Sequence, residues 1–251
     1  MAAMTQAATT PLIRLDRVRK VFGAVVALQE VTLDVNPGEI VALVGDNGAG
    51  KSTLIKLIAG VHQPTGGQII LDGEPVRLTK PTDSREHGIE VVLQDLALAD
   101  QQPVYMNVFL GRELVRGPLR QLDRDGMAME TQQLLDELDI RVPSPRATIR
   151  DLSGGQRQGV AIARATHWAQ RLVLMDEPTA ALGVQETSRV EDIIRRMRER
   201  GRAILIVSHS LDQVFRISDR ICVLRRGQQV GIKDTSGTTG EEIVSMITGL
   251  R

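Results

Sequence analysis

Ile40-Val41-Ala42-Leu43-Val44-Gly45-Asp46-Asn47-Gly48-Ala49-Gly50-Lys51-Ser52 decides the fold of this 251-residue chain. The first five residues form a continuous apolar run, the pattern of a strand covered on both faces by helices. Gly45–Ser52 then matches G-x-x-x-x-G-K-S, and Ser52–Ala59 reads as a helix, so the loop sits between a strand and a helix as this phosphate-binding motif requires. Glycines let backbone N–H groups converge on phosphate oxygens without Cβ obstruction, and the helix dipole adds positive potential there. Gly45, Asp46, Asn47, Gly48, Ala49, Gly50, Lys51, Ser52 and Thr53 are therefore the expected cradle of a nucleoside triphosphate. Lys51 is expected to reach the β- and γ-phosphates, and the Ser52 hydroxyl to ligate Mg²⁺. A chance glycine turn ahead of a helix is the competing reading.

Outward from this stretch, Ile89–Leu93, Leu172–Met175 and Ala203–Val207 are further short apolar runs. Val190, Ile193, Ile194 and Met197 recur at i, i+3, i+4 and i+7, the stripe of an amphipathic helix lying on a sheet. Alternating segments of these two kinds predict an α/β domain with a mainly parallel sheet. Residues 95–169 read differently. They carry helix-like stretches around Asn107–Leu114 and Met127–Leu138 and the Pro-bearing Val142–Pro145, with no convincing strand. The expected organisation is one domain over 1–251: a leader at 1–10 without order, a core at 11–94 and 170–251, and an inserted helical subdomain at 95–169.

Two more segments carry chemistry. Val173-Leu174-Met175-Asp176-Glu177 is an apolar strand ending in paired acids. Asp176 fits the acid associated with Mg²⁺ in phosphate-loop enzymes, and Glu177 is placed to polarise an attacking water as general base. A solvated strand end is the bland alternative. Leu152-Ser153-Gly154-Gly155-Gln156 precedes a helix-compatible run, Arg157–His167. Ser153 is a natural N-cap, and Gly154 and Gly155 expose amides at the helix's positive end, a second anion-facing turn.

Lys+Arg and Asp+Glu both number 31, giving no net charge and no broad basic field for nucleic acid. Three Phe, one Trp and one Tyr are too few for a base-stacking platform. The single cysteine, Cys222, excludes an internal disulfide and reads as a small buried hydrophobe. No apolar run approaches the roughly 20 residues of a membrane span, and the N-terminus lacks a secretory pattern.

The order of phosphate loop, Gln94, Leu152–Gln156, Asp176-Glu177 and Ser208-His209 resembles the nucleotide-binding subunits of ATP-binding-cassette transporters. The resemblance runs from about Leu12 to Gly249. It implies a phosphate-loop NTPase core of the RecA-like kind with N-terminal antiparallel strands. It also implies a head-to-tail dimer in which each ATP lies between one phosphate loop and the partner copy's signature turn. Ser153, Gly154 and Gln156 would then face the partner's γ-phosphate, with Gly155 in the same turn. Gln94 matches the glutamine that contacts Mg²⁺ or the water and senses the membrane partner. His209 matches the switch histidine that contacts the γ-phosphate. Phe22, in Lys20-Val21-Phe22-Gly23, matches the aromatic that stacks on adenine, against the alternative of a core phenylalanine. His62, His87 and His167 match nothing.

One position departs from the pattern: after Pro178–Leu182 the family usually carries Asp, and here stands Gly183. The loop texture, with Gln94–Leu98 and Asn107–Glu113, is similar to monosaccharide importers of the ribose, xylose and fructose type. The resemblance therefore implies an ATP- and Mg²⁺-dependent hydrolase at the cytoplasmic face of the membrane, powering sugar import. Its partners would be a second copy, permease subunits docking near residues 96–112 and, indirectly, a solute-binding protein, with no nucleic acid. The alternatives are a cassette ATPase acting on DNA or the ribosome, and a small-molecule kinase on the same loop.

Overall fold

The computed structural model describes residues 10–180 and 182–249. Apart from Thr10, the leader expected at 1–10 lies outside the described residues. Two sheets form the core. The first is antiparallel and joins β1 (Ile13–Phe22), β2 (Val25–Val35), β4 (Gly66–Leu71) and β5 (Glu74–Val76) in the order β2-β1-β4-β5. The second contains β3 (Ile40–Val44), β6 (Ile89–Val92), β9 (Leu172–Asp176), β10 (Ala203–Val207), β11 (Arg220–Arg225) and β12 (Gln228–Asp234) in the order β12-β11-β3-β10-β9-β6. All its neighbouring pairs are parallel except β11 with β12.

Every residue of β3, β9 and β10 is buried, as their unbroken apolar sequences require. Alternate side chains nevertheless serve different cores. Ile40, Ala42 and Val44, with Val173, Met175, Ile204 and Ile206, face the layer of α3 (Val104–Val108), α4 (Arg124–Leu138), α5 (Gly154–Trp168), α6 (Val184–Glu199), α7 (Leu211–Ile217) and α8 (Gly240–Thr248). Val41, Leu43, Leu172, Leu174 and Leu205 face α1 (Lys51–Ile58) and the antiparallel sheet. A short α2 (Pro81–Glu86) precedes β6. Parallel β3, β10 and β9 end side by side, so the loops after them meet at one edge, where open α/β sheets bind ligands.

The inserted region departs from its sequence reading in two places. The helix expected over Asn107–Leu114 is α3, which ends at Val108; Gly111 adopts φ 78°, a left-handed turn that stops helical continuation. Fully buried Asn107 instead staples the preceding loop, accepting from the Ala99 N–H at 2.7 Å and donating to the Pro103 carbonyl at 3.1 Å. The region also contains strands, a two-residue-wide ribbon of β7 (Val115–Arg116) and β8 (Gln121–Leu122). It is too short to show a period of two. Cys222 is buried in β11 and its thiol is pushed up to about 12, so it stays protonated and acts as packing.

Candidate functional site

The phosphate loop is held open by close approach of its own backbone to neighbours. Gly45 has φ 148°, and a Cβ there would collide with the Leu224 carbonyl of β11. Gly50 has φ 102°, and a Cβ would lie 2.6 Å from Leu28 Cδ2 and 2.7 Å from the Ala27 carbonyl oxygen. Only glycine fits either position. Gly50 is also the N-cap of α1 and supplies no side-chain cap, which leaves the helix's first N–H groups for an anion. Lys51 is buried, its Nζ donating to the carbonyls of Gly45 at 2.7 Å and Asp46 at 2.9 Å. Burial lowers its pKa, opposed by the carboxylates of Glu177, Asp176 and Asp46. The ammonium is thus poised over the loop, bonded to groups it can exchange for phosphate oxygens.

At the end of β9, Asp176 is buried, and Ser52 Oγ donates to its Oδ1 at 3.3 Å. Burial raises the Asp176 pKa, with the Ser52 bond acting against it. A hydroxyl and a carboxylate side by side are hard oxygen donors suited to Mg²⁺, which takes few protein ligands and shares phosphate oxygens. Among the described residues no group of three or more His, Cys, Asp or Glu could hold a metal by itself. Glu177 adopts φ 52°, the left-handed region, which costs a non-glycine residue about 1–3 kcal/mol and persists where surrounding structure enforces it. Its Oε1 lies 2.5 Å from His209 Nε2, so the loops after β9 and β10 touch through these two side chains.

Two cavities flank this contact. One, of about 270 Å³, is lined by Gly45, Asp46, Asn47, Ser208, His209 and Ile247. The other, of about 590 Å³, holds Gln94, Glu177, Gly154, Arg157 and Gln158. Gln94 therefore shares a cavity with Glu177, and no residue of the 153–156 turn lines the phosphate-loop cavity. Ser153 caps α5: its Oγ accepts from the Gln156 N–H at 3.2 Å, while Gln156 Oε1 accepts from the Ser153 N–H at 3.0 Å. Gln156 Nε2 donates to the Arg141 carbonyl at 3.1 Å, so this side chain is engaged within its own chain. Helix α5 starts at Gly154, earlier than the Arg157–His167 run suggested. Phe22 is 41% exposed, which removes the core reading. One edge contact with His62, at 5.1 Å between centroids, and Lys20 Nζ at 4.7 Å fix its ring.

Gly183 is the N-cap of α6, and its N–H donates to Glu186 Oε2 at 2.8 Å, a capping role that needs no side chain at 183. Arg164 was not singled out from the sequence. Its guanidinium donates to the carbonyls of Leu96 and Ala97, both at 2.8 Å, tying α5 to the segment after Gln94. Burial lowers its pKa. The available signal was one cation within the apolar run Val160–Ala165.

A phosphate loop on a central parallel strand, with an acid pair and a histidine at the neighbouring strand ends, defines a nucleoside triphosphatase of the phosphate-loop class. Residues 28–180 match the ABC transporter family. The chain is 45% identical over 237 residues to a xylose/arabinose import ATP-binding protein of Sulfolobus acidocaldarius, covering 94% of each. It is 41% identical to a fructose import ATP-binding protein of Rhizobium meliloti, covering 97% of this chain and 96% of that one. Against a ribose import ATP-binding protein of Escherichia coli O157:H7 it is 41% identical but spans only 47% of that protein. A dimeric ATP-binding cassette in a post-hydrolysis state, bound to ADP and Pi, superimposes with a TM-score of 0.76 at 25% identity, covering 90% of this chain and 100% of that one. This chain belongs to the ABC transporter family.

Proposed function

We propose that the chain is the ATP-hydrolysing subunit of a monosaccharide importer, working as a head-to-tail pair at the cytoplasmic face of the membrane. Full-length similarity to two sugar-import ATP-binding proteins supports the transport reading. The observation that carries the shared site is the open face of Gly154, where a Cβ would meet nothing within 4 Å, on a turn that borders the cavity of Glu177 and Gln94 but does not line that of the phosphate loop. An anion-facing helix start that stays clear of its own chain's phosphate loop is explained by a second copy. The dimeric cassette relative supports that pairing.

In this reading Lys51 and the loop N–H groups hold the β- and γ-phosphates, and Phe22 offers its exposed face to adenine. Ser52 and Asp176 would hold Mg²⁺, with Gln94 reaching the cation or the water as ATP closes the site. The cation supplies charge neutralisation across the phosphate oxygens. Glu177 orients and deprotonates the attacking water, while His209 exchanges its Glu177 partner for the γ-phosphate. Residues 11–94 and 170–251 form the catalytic core, and residues 95–169 form the lobe that meets the permease, which a solute-binding protein would serve in turn. A cavity of about 260 Å³ between these parts, lined by Leu96, Ala97, Leu110, Arg112 and Trp168, supports docking near 96–112. Among the described residues no helix is long and apolar enough to cross a membrane.

ATP closes the pair because its charge is fully met only when the partner's signature helix arrives, a differential that ADP lacks. Glu177→Gln should bind ATP, turn over at least about 100-fold more slowly and elute as a dimer in size-exclusion chromatography with ATP. A variant that stays monomeric there contradicts the shared site.

A further inference from the structure

Behind the exposed Glu177–His209 contact lies a buried tether between the same two loops. We propose that Gln213 is a positioning residue that fixes the loop carrying Glu177 against the loop carrying His209, resting on the hydrolytic reading of that pair. Gln213 sits in the first turn of α7 and is fully buried. Its Oε1 accepts from Ser208 Oγ at 2.8 Å and from Thr179 Oγ1 at 3.1 Å. Ser208 immediately precedes His209, and Thr179 lies two residues beyond Glu177. One oxygen therefore joins the loops that carry both side chains.

The tether is anchored in the helix it belongs to. Ser210 Oγ caps α7 by accepting from the Gln213 N–H at 3.3 Å, and the Ser210 N–H donates to Ser208 Oγ at 3.1 Å. It also begins where the sheet stops. The β9–β10 ladder ends at Asp176 opposite Val207, and past it the Glu177 N–H still donates to the Val207 carbonyl at 3.1 Å. Glu177 then turns left-handed, a conformation its neighbours must enforce.

Gln213 Nε2 is buried and has no hydrogen-bond partner. A buried orphan donor costs about 1–3 kcal/mol, which the two hydroxyl bonds at Oε1 offset. What an apolar side chain of similar volume lacks is the oxygen that accepts two hydroxyls at once. The carboxamide is therefore explained by loop placement, on which general-base geometry depends within fractions of an ångström. Of the three braced residues only Ser208 lines the phosphate-loop cavity, and its hydroxyl is turned to Gln213, so the chemical step should depend on this brace more than nucleotide binding does.

The test is steady-state MgATP hydrolysis by the full chain carrying Gln213→Met, which keeps volume but removes the acceptor, and Gln213→Glu, which keeps it. Gln213→Met should lower kcat about tenfold or more with KM for ATP within about twofold, while Gln213→Glu stays within about threefold of the parent kcat. Thr179→Val removes the other half of the bond; its loss should not add to that of Gln213→Met in a double-mutant cycle. Unchanged kcat in Gln213→Met, equal losses in the Met and Glu variants, or additive losses in the cycle would overturn the proposal. Glu177→Gln run alongside separates the two readings: activity that survives there overturns the hydrolytic pair itself.

Discussion

The two glycine turns of this chain are constrained from different directions. In the phosphate loop, Gly45 and Gly50 are dictated from within, because Leu224, Ala27 and Leu28 occupy the space a Cβ would need. In the 153–156 turn, a Cβ on Gly154 would meet nothing within 4 Å. Gly155 is intermediate, since its Cβ would come 2.7 Å from Glu186 Cγ, the movable part of a side chain. Gly45 and Gly50 are explained by the chain's own packing, while Gly48, with φ 78° and nothing within 4 Å of a Cβ, faces the loop's open side. In the proposed pairing, the open space in front of Gly154 at its helix start receives a second copy's nucleotide.

Substitutions sharpen this contrast, and the largest effect belongs to the phosphate loop. Lys51→Ala removes the one ammonium held over the loop and should weaken ATP binding at least about 100-fold, measured by titration calorimetry. Retained binding would break the assignment of the loop. Gly154→Asp should cut hydrolysis about as severely while leaving the monomer's thermal unfolding unchanged, because the new carboxylate opposes a phosphate rather than a neighbour. If Gly154→Asp unfolds instead, the contrast between the turns fails. Gly50→Ala should act oppositely, losing about 1–3 kcal/mol in urea unfolding without nucleotide through strain and clash.

A smaller effect comes from Asp176. Burial raises its pKa, so the nucleotide-free fold binds that proton more tightly than the unfolded chain. The resulting stability is present at low pH and lost as pH rises from the ordinary carboxylate range through the folded value. Asp176→Asn does not titrate there, so Tm of the variant minus wild type should increase between about pH 4 and about pH 7. A difference that shrinks over this range contradicts the assignment.

The phosphate loop, β3, β10 and the acid pair were legible because each carries its signal within a few consecutive residues. The β7–β8 ribbon and the end of α3 were not, since strands of two residues and a single left-handed glycine leave no period to read. Arg164 and Gln213 were hidden for another reason. Arg164 bonds Leu96, 68 residues away, and Gln213 joins nearby Ser208 to Thr179, 34 residues away, so only the fold shows either tether. The exposed face of Phe22 likewise depended on burial rather than on sequence.

The most direct test of a site shared between copies is complementation. Lys51→Ala and Gly154→Asp chains, each inactive alone, are mixed in equal amounts and assayed for ATP hydrolysis. A mixed pair unites the intact phosphate loop of one chain with the intact turn of the other. Random two-fold pairing makes half the dimers mixed with one of two sites whole, so activity should recover to about a quarter of wild type. Activity no greater than the sum of the separate variants would show that each chain serves its own nucleotide, and would contradict the account.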